Sequence, residues 1–211
     1  MIRAVALALA VALGGCPAAP GSGPEASREP GVPLSTVEEA FAACLDGDPA
    51  DGVARLDALV VAGRTAPDAL VARGLCRWAL WDETGAREDA RGAYRDLTAA
   101  IRAVEAGGEA RGTPLDQIYG HRAFVAQAVD GGWVRTLEDL GRAVALAPLA
   151  PQHLLDRGVV HSYAGDTLAA RTDLRAYLAL TDSVAGDDPE RRSVVEALLD
   201  DLGPPAAPSP Q

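Results

Sequence analysis

The chain has 211 residues, of which 30 are acidic and 19 basic, for a formal net charge of −11 at pH 7, and every basic residue is Arg. Such a balance argues against nucleic-acid binding, which rests on neutralising phosphates, and against broad electrostatic docking on anionic lipid. Apolar residues make up 48% of the chain but aromatic rings only 4%, so a core must come from close contacts between Ala-, Leu- and Val-rich helices, and an all-α fold is expected.

Met1, Ile2 and Arg3 form a short basic start, and Ala4 to Leu13 is an unbroken apolar run. The run is far shorter than the roughly 20 residues a bilayer-spanning helix needs, and it fits the apolar region of a secretion signal. Leu13-Gly14-Gly15-Cys16 follows. This tetrad resembles the lipobox of bacterial lipoproteins, an aliphatic residue and two small ones before the Cys that is lipidated and becomes the first residue. The resemblance implies a signal peptide over 1–15 and acyl chains, palmitate among them, on Cys16. Each buried methylene contributes about 0.8 kcal/mol, so two or three chains anchor durably. Pro17, not Asp, follows the Cys; in Gram-negative lipoproteins that pattern implies the periplasmic face of the outer membrane. Residues 16–34 are rich in Pro, Gly, Ser and Ala and read as a tether, and 203–211 as a Pro-rich tail.

Between them, 35–202 carries an internal period. A spacing of 34 aligns Asp139-Leu140 with Asp173-Leu174 and Ala145-Leu146 with Ala179-Leu180. Arg73-Gly74 and Arg157-Gly158 open similar amphipathic stretches, and the Gly47-Asp48 turn matches Gly165-Asp166. Four helix-turn-helix units are expected, at about 35–62, 68–104, 115–147 and 152–181. A closing helix is expected at about 189–202, with Asp187 or Asp188 as N-cap and Pro189 in its first turn. Its apolar stripe, Val194, Val195, Leu198, Leu199 and Leu202, suits a cap on the last unit.

This pattern resembles tetratricopeptide repeats (TPR), in which small residues let paired helices approach. Ala40, Gly74, Gly158, Ala143 and Ala170 hold those places, with Trp133, Leu140 and Leu174 filling gaps. The resemblance implies a TPR-like α-solenoid of about four helical hairpins with a C-terminal capping helix. The unit from Arg157 to Leu180 also resembles the repeat tail of some transglutaminase-like proteins, whose catalytic domain has no counterpart here. Departures are a lengthened second unit near Trp81 to Arg87, a Gly-rich join from Glu105 to Pro114, and bulky Thr136 and Tyr177 at small-residue places.

No nucleophile elbow, phosphate loop or Cys–His arrangement appears, and no enzyme, cofactor or metal is expected. His121, His153 and His161 are the three histidines; the last two are about two turns apart on one helix face, with Asp156 one turn from His153. A zinc site would want a closer pair and a third strong ligand. Cys44 and Cys76 lie on the first helices of neighbouring units, and both a disulfide and two free thiols fit. In an exported protein such a pair can oxidise, provided its Cα atoms approach within roughly 7 Å. Arg73, Arg122 and Arg157 recur at matching places, either to pin a carboxylate ligand or to pair with local acids.

In stacked hairpins the first helices line the concave side. Helical projection puts Phe41, Leu45, Val71, Leu75, Trp78, Phe124, Gln127, Gln152, Val159, Ser162 and Tyr163 there. The leading expectation is a non-enzymatic, membrane-anchored scaffold binding an envelope protein or peptide segment, as repeat-containing lipoproteins such as secretin pilotins do. The alternative is a small-ligand or enzymatic role centred on His153 and His161.

Overall fold

A computed structural model describes residues 34–61, 66–182 and 188–203. The expected signal peptide (1–15), Cys16, all of the tether but Leu34, and all of the tail but Gly203 lie outside the described residues. Among the described residues there are nine helices and no strand, so the all-α expectation holds. They are α1 (Leu34–Leu45), α2 (Pro49–Val61), α3 (Pro67–Thr84), α4 (Arg87–Glu105), α5 (Leu115–Asp130), α6 (Trp133–Leu146), α7 (Pro151–Ala164), α8 (Thr167–Asp182) and α9 (Pro189–Asp201). No helix among the described residues is long and apolar enough to cross a membrane.

The helix ends follow a local code. Gly85, Gly131 and Gly165 close α3, α5 and α7 with φ of 71°, 68° and 82°, and Gly47 follows α1 at 94°. Only Gly adopts that left-handed conformation cheaply, so each stops its helix and turns the chain into the next one. After Gly47 and Gly165 comes an Asp that caps the following helix: Asp48 accepts from Asp51 N at 2.9 Å, and Asp166 from Ala169 N at 3.0 Å. Of the two N-cap candidates for α9, Asp188 takes the role, accepting from Glu190 N at 3.1 Å and Arg191 N at 3.3 Å. Asp187 lies outside the described residues.

Each helix packs on its neighbour in the chain, α1 also packs on α3, and α3 touches α5. The core is accordingly a series of small clusters. Val37, Ala40, Leu56, Ala69, Ala72 and Cys76 join α1, α2 and α3. Leu70, Val71, Leu97, Ile101 and Ile118 join α3, α4 and α5. Ala123, Leu140 and Val160 join α5, α6 and α7, and Leu155, Leu174, Tyr177 and Val195 join α7, α8 and α9.

The extra residues of the second unit extend its helices to 18 and 19 residues, against 14 and 16 for α7 and α8. The Gly-rich join is pinned back on the start of α3, where the Asp68 carboxylate accepts from Gly112 N at 2.8 Å and Arg111 N at 3.2 Å. Thr136 and Tyr177 are buried despite their size.

Candidate functional site

One side-chain unit recurs in three helix pairs. In α3–α4, Arg73 Nε and Nη2 donate to Asp96 Oδ2 and Oδ1 at 2.9 and 2.5 Å. In α5–α6, Arg122 makes the same fork onto Asp139 at 2.8 and 2.6 Å. In α7–α8, Arg157 does so onto Asp173, at 2.7 Å for both bonds. The residue after each Arg is small (Gly74, Ala123, Gly158), and the residue after each Asp is a fully buried Leu (Leu97, Leu140, Leu174).

These two neighbours explain each other. A Cβ at Gly158 would lie 2.9 Å from Leu174 Cγ, and one at Gly74 3.1 Å from Leu97 Cγ. The missing side chain brings the helices close, and the closeness places the guanidinium on the carboxylate. A fork of two charge-assisted bonds fixes angle as well as distance. The first pair has Glu39-Ala40 and Arg55-Leu56 in the matching order, so its charges are reversed. Arg55 there reaches Asp51 at 2.7 Å. The three arginines therefore pair with local acids, which is one of the two roles their sequence positions suggested.

Polar ties also run from pair to pair. Arg73 and Arg77 both donate to Asp57 of α2, at 2.8 and 3.1 Å. Arg122 donates to Thr98 Oγ1 of α4 at 3.3 Å, and its guanidinium carbon lies 5.7 and 5.3 Å from the ring centres of Tyr94 and Tyr119. His153 Nε2 bonds Asp116 Oδ2 at 2.8 Å, linking α7 to α5. Gln152 takes a bond from Arg191 at 3.3 Å, Arg192 pairs with Asp182, and Arg171 donates to the Leu199 carbonyl at 3.4 Å, which ties α9 down.

His153 and His161 do not converge on one site. His153 is buried against Asp116, whereas His161 lies 3.8 Å from Asp166 at the other end of α7. Gly120 packs beside the His153 ring. Burial lowers the His121 pKa to about 4, with His153 nearby adding to the effect. Asp156, which accepts from Gln152 at 2.7 Å, has its pKa raised by burial to about 7. Among the described residues no cluster of three His, Cys, Asp or Glu is arranged to hold a metal ion. Sequence reasoning missed Asp116, which is brought to His153 only by packing between pairs.

The projected first-helix residues divide by burial. Val71 is 2% exposed and belongs to the core between α3 and α4, so it is not available to a partner; the helical projection misplaced it by ignoring the neighbouring pair. Phe41, Leu75, Trp78, Phe124 and Val159 are partly covered. Trp78 stacks on Trp81 with ring centres 4.5 Å apart. Gln127 keeps its Oε1 buried without a hydrogen-bond partner. Gln152 is spent on Asp156 and Arg191, and Ser162 on the Val159 carbonyl at 2.7 Å. Leu45 and Tyr163 are the open ones, 65% and 58% exposed, with Tyr163 stacked on Trp133 at 5.8 Å. A shallow depression of about 330 Å³ lies instead along α4, lined by Tyr94, Arg95, Thr98, Ala99 and Arg102.

Cys44, half-buried, and Cys76, buried, are free thiols. No family model matches the chain, and no curated protein does.

Proposed function

We propose that this chain is a bacterial lipoprotein, anchored through acyl chains on Cys16, whose helix pairs form a TPR-like α-solenoid that holds another protein of the cell envelope. The observation that carries the reading is the recurring fork of Arg73–Asp96, Arg122–Asp139 and Arg157–Asp173, each beside a small residue packed on a buried Leu. A unit repeated with its fastening implies pairs stacked in one sense, and such stacking puts the first helices on a common face.

That face carries large rings that the core does not fully cover, namely Phe41, Trp78, Phe124 and Tyr163. Partly exposed aromatics are costly to leave in water and are the side chains that anchor protein partners. An extended segment or short helix from an envelope protein would bury its side chains there, with the membrane reached through the lipid and no nucleic acid or cofactor involved. In a Gram-negative cell the expected address is the periplasmic face of the outer membrane, held off the bilayer by the 16–34 segment.

The test has two arms. Metabolic labelling with palmitate is expected to mark the intact chain and not a Cys16→Ser variant; label on both would refute the anchor. Crosslinking in native membranes followed by purification is expected to retain one discrete exported protein, lost when Trp78 and Phe124 are both changed to Ala. Recovery of the same proteins from both forms would refute the binding face.

A further inference from the structure

We infer that Cys44 and Cys76 form a dithiol that closes to an intramolecular disulfide by exchange with a disulfide oxidant, clamping α1 onto α3. The two residues are 32 positions apart, and neighbouring helices usually sit 8–10 Å apart, too far for a bridge except at a close crossing. Gly52 of α2 creates that crossing. A Cβ there would lie 2.9 Å from Cys44 Cβ and 3.1 Å from Cys76 Sγ, so α1, α2 and α3 converge on a point that only Gly leaves open. Both side chains therefore border the same bare stretch of backbone.

The two sulfurs are unequal in the way exchange requires. Cys44 is partly exposed, and Cys76 is fully buried beneath it. The neighbouring Cys76 thiol lowers the Cys44 pKa, against the opposing effects of burial and of Glu83. The Cys44 thiol beside it and burial raise that of Cys76. The Cys44 thiolate attacks one sulfur of the oxidant, and a thiolate leaves. Cys76 then gives up its proton to that thiolate, and its sulfur attacks Cys44 Sγ, expelling the second thiol. Two electrons and two protons pass to the oxidant, which ends as two thiols. A partly exposed attacker of lowered pKa, with a buried resolving partner, is the arrangement this chemistry uses.

The clamp sits where the fold needs one. Among the described residues the α1–α2 pair packs chiefly on α3, and its cluster is small, with Leu56 its one large fully buried side chain. End units of stacked arrays open first. Joining Cys44 to Cys76 ties the N-terminal pair to the second pair by a covalent bond. The proposed membrane anchor lies on that side in sequence, so the clamp would resist peeling under tension; only this role, and the exported source of oxidant, rest on the reading above.

The experiment uses the full chain with Cys16→Ser, which removes the third thiol, incubated folded with excess oxidised glutathione, then alkylated in denaturant and weighed. The expected product is a monomer lighter by two hydrogens that takes up no alkylating reagent. Its thermal midpoint should rise by roughly 5–10 °C and fall back on reduction. With Cys76→Ala added, Cys44 should take one glutathione; with Cys44→Ala instead, Cys76 should react at least about tenfold more slowly, provided circular dichroism shows both variants folded. Two alkylated thiols after oxidation, disulfide-linked dimers, or equal rates for the two variants would overturn the inference. If a single-Cys variant does not fold, the product mass and midpoint shift of the unmodified pair decide. None of these outcomes depends on lipid or partner.

Discussion

Replacing Arg122 with Met strips the cation from Asp139 while keeping most of the stem's volume. The Asp139 carboxylate is 7% exposed and the Arg122 side chain 16%, so water cannot replace the two bonds of 2.8 and 2.6 Å. Removing one partner of a buried ion pair costs about 3–5 kcal/mol, because the other charge is left without a counterion. The residual exposure and screening bring the expectation here to about 2–4 kcal/mol. The rings of Tyr94 and Tyr119 lose a cation as well, worth roughly 0.5–1 kcal/mol in all. Arg122→Lys keeps charge but not the fork and should fall between, losing about 1–2 kcal/mol.

The double variant Arg122→Met/Asp139→Leu buries no charge and should recover to within about 1 kcal/mol of the parent, for a coupling of at least roughly 2 kcal/mol. Urea unfolding followed by circular dichroism reads all four corners of the cycle. If Arg122→Met lies within about 0.5 kcal/mol of the parent, or the two substitutions simply add, the fork is decoration and the account of how these helix pairs are fastened fails.

Other outcomes follow from particular contacts. Gly158→Val forces a branched side chain onto Leu174 and Asp173, and should cost roughly 3 kcal/mol in urea unfolding. Gly141→Ala, with nothing within 4 Å of the added carbon, should add about 0.5–1 kcal/mol. Burial raises the Asp156 pKa to about 7. Its contribution is therefore whole below the ordinary carboxylate range and fades as pH rises through 7. Asp156→Asn should leave unfolding free energy unchanged near pH 4 and raise it by a few kcal/mol at pH 8; no gain at pH 8 would refute the assignment. His121 runs the other way, because a pKa depressed to about 4 favours the neutral ring. The parent should lose stability relative to His121→Gln as pH falls from 6.5 towards 4, and parallel pH profiles would contradict this.

The sequence made the helical character legible because Ala and Leu dominate and strand formers are sparse. Helices α1 to α8 fall two by two on the expected units to within about two residues at most ends, since Gly47, Gly85, Gly131 and Gly165 mark the ends of first helices. The matching of Asp139-Leu140 with Asp173-Leu174 was visible from spacing alone. Asp96-Leu97 was not, because the lengthened α3 and α4 shift it out of the period while packing restores the contact. Contacts between pairs were the least legible. His153–Asp116 spans 37 positions, and the meeting of Cys44 and Cys76 depends on the bare backbone of Gly52 on a third helix. Periodicity orients a residue on its own helix and says nothing of what covers it, which is how Val71 came to be assigned to the open face.

Site-specific photo-crosslinking in native membranes bears most directly on the proposed scaffold. A photoreactive phenylalanine analogue at Phe41, Phe124 or Tyr163 should give an adduct with the same discrete envelope protein. The analogue at Arg142 or Arg175, exposed on second helices, should give none. Adducts of equal yield from both sets, or none from the first, would contradict a partner-binding face built on first helices.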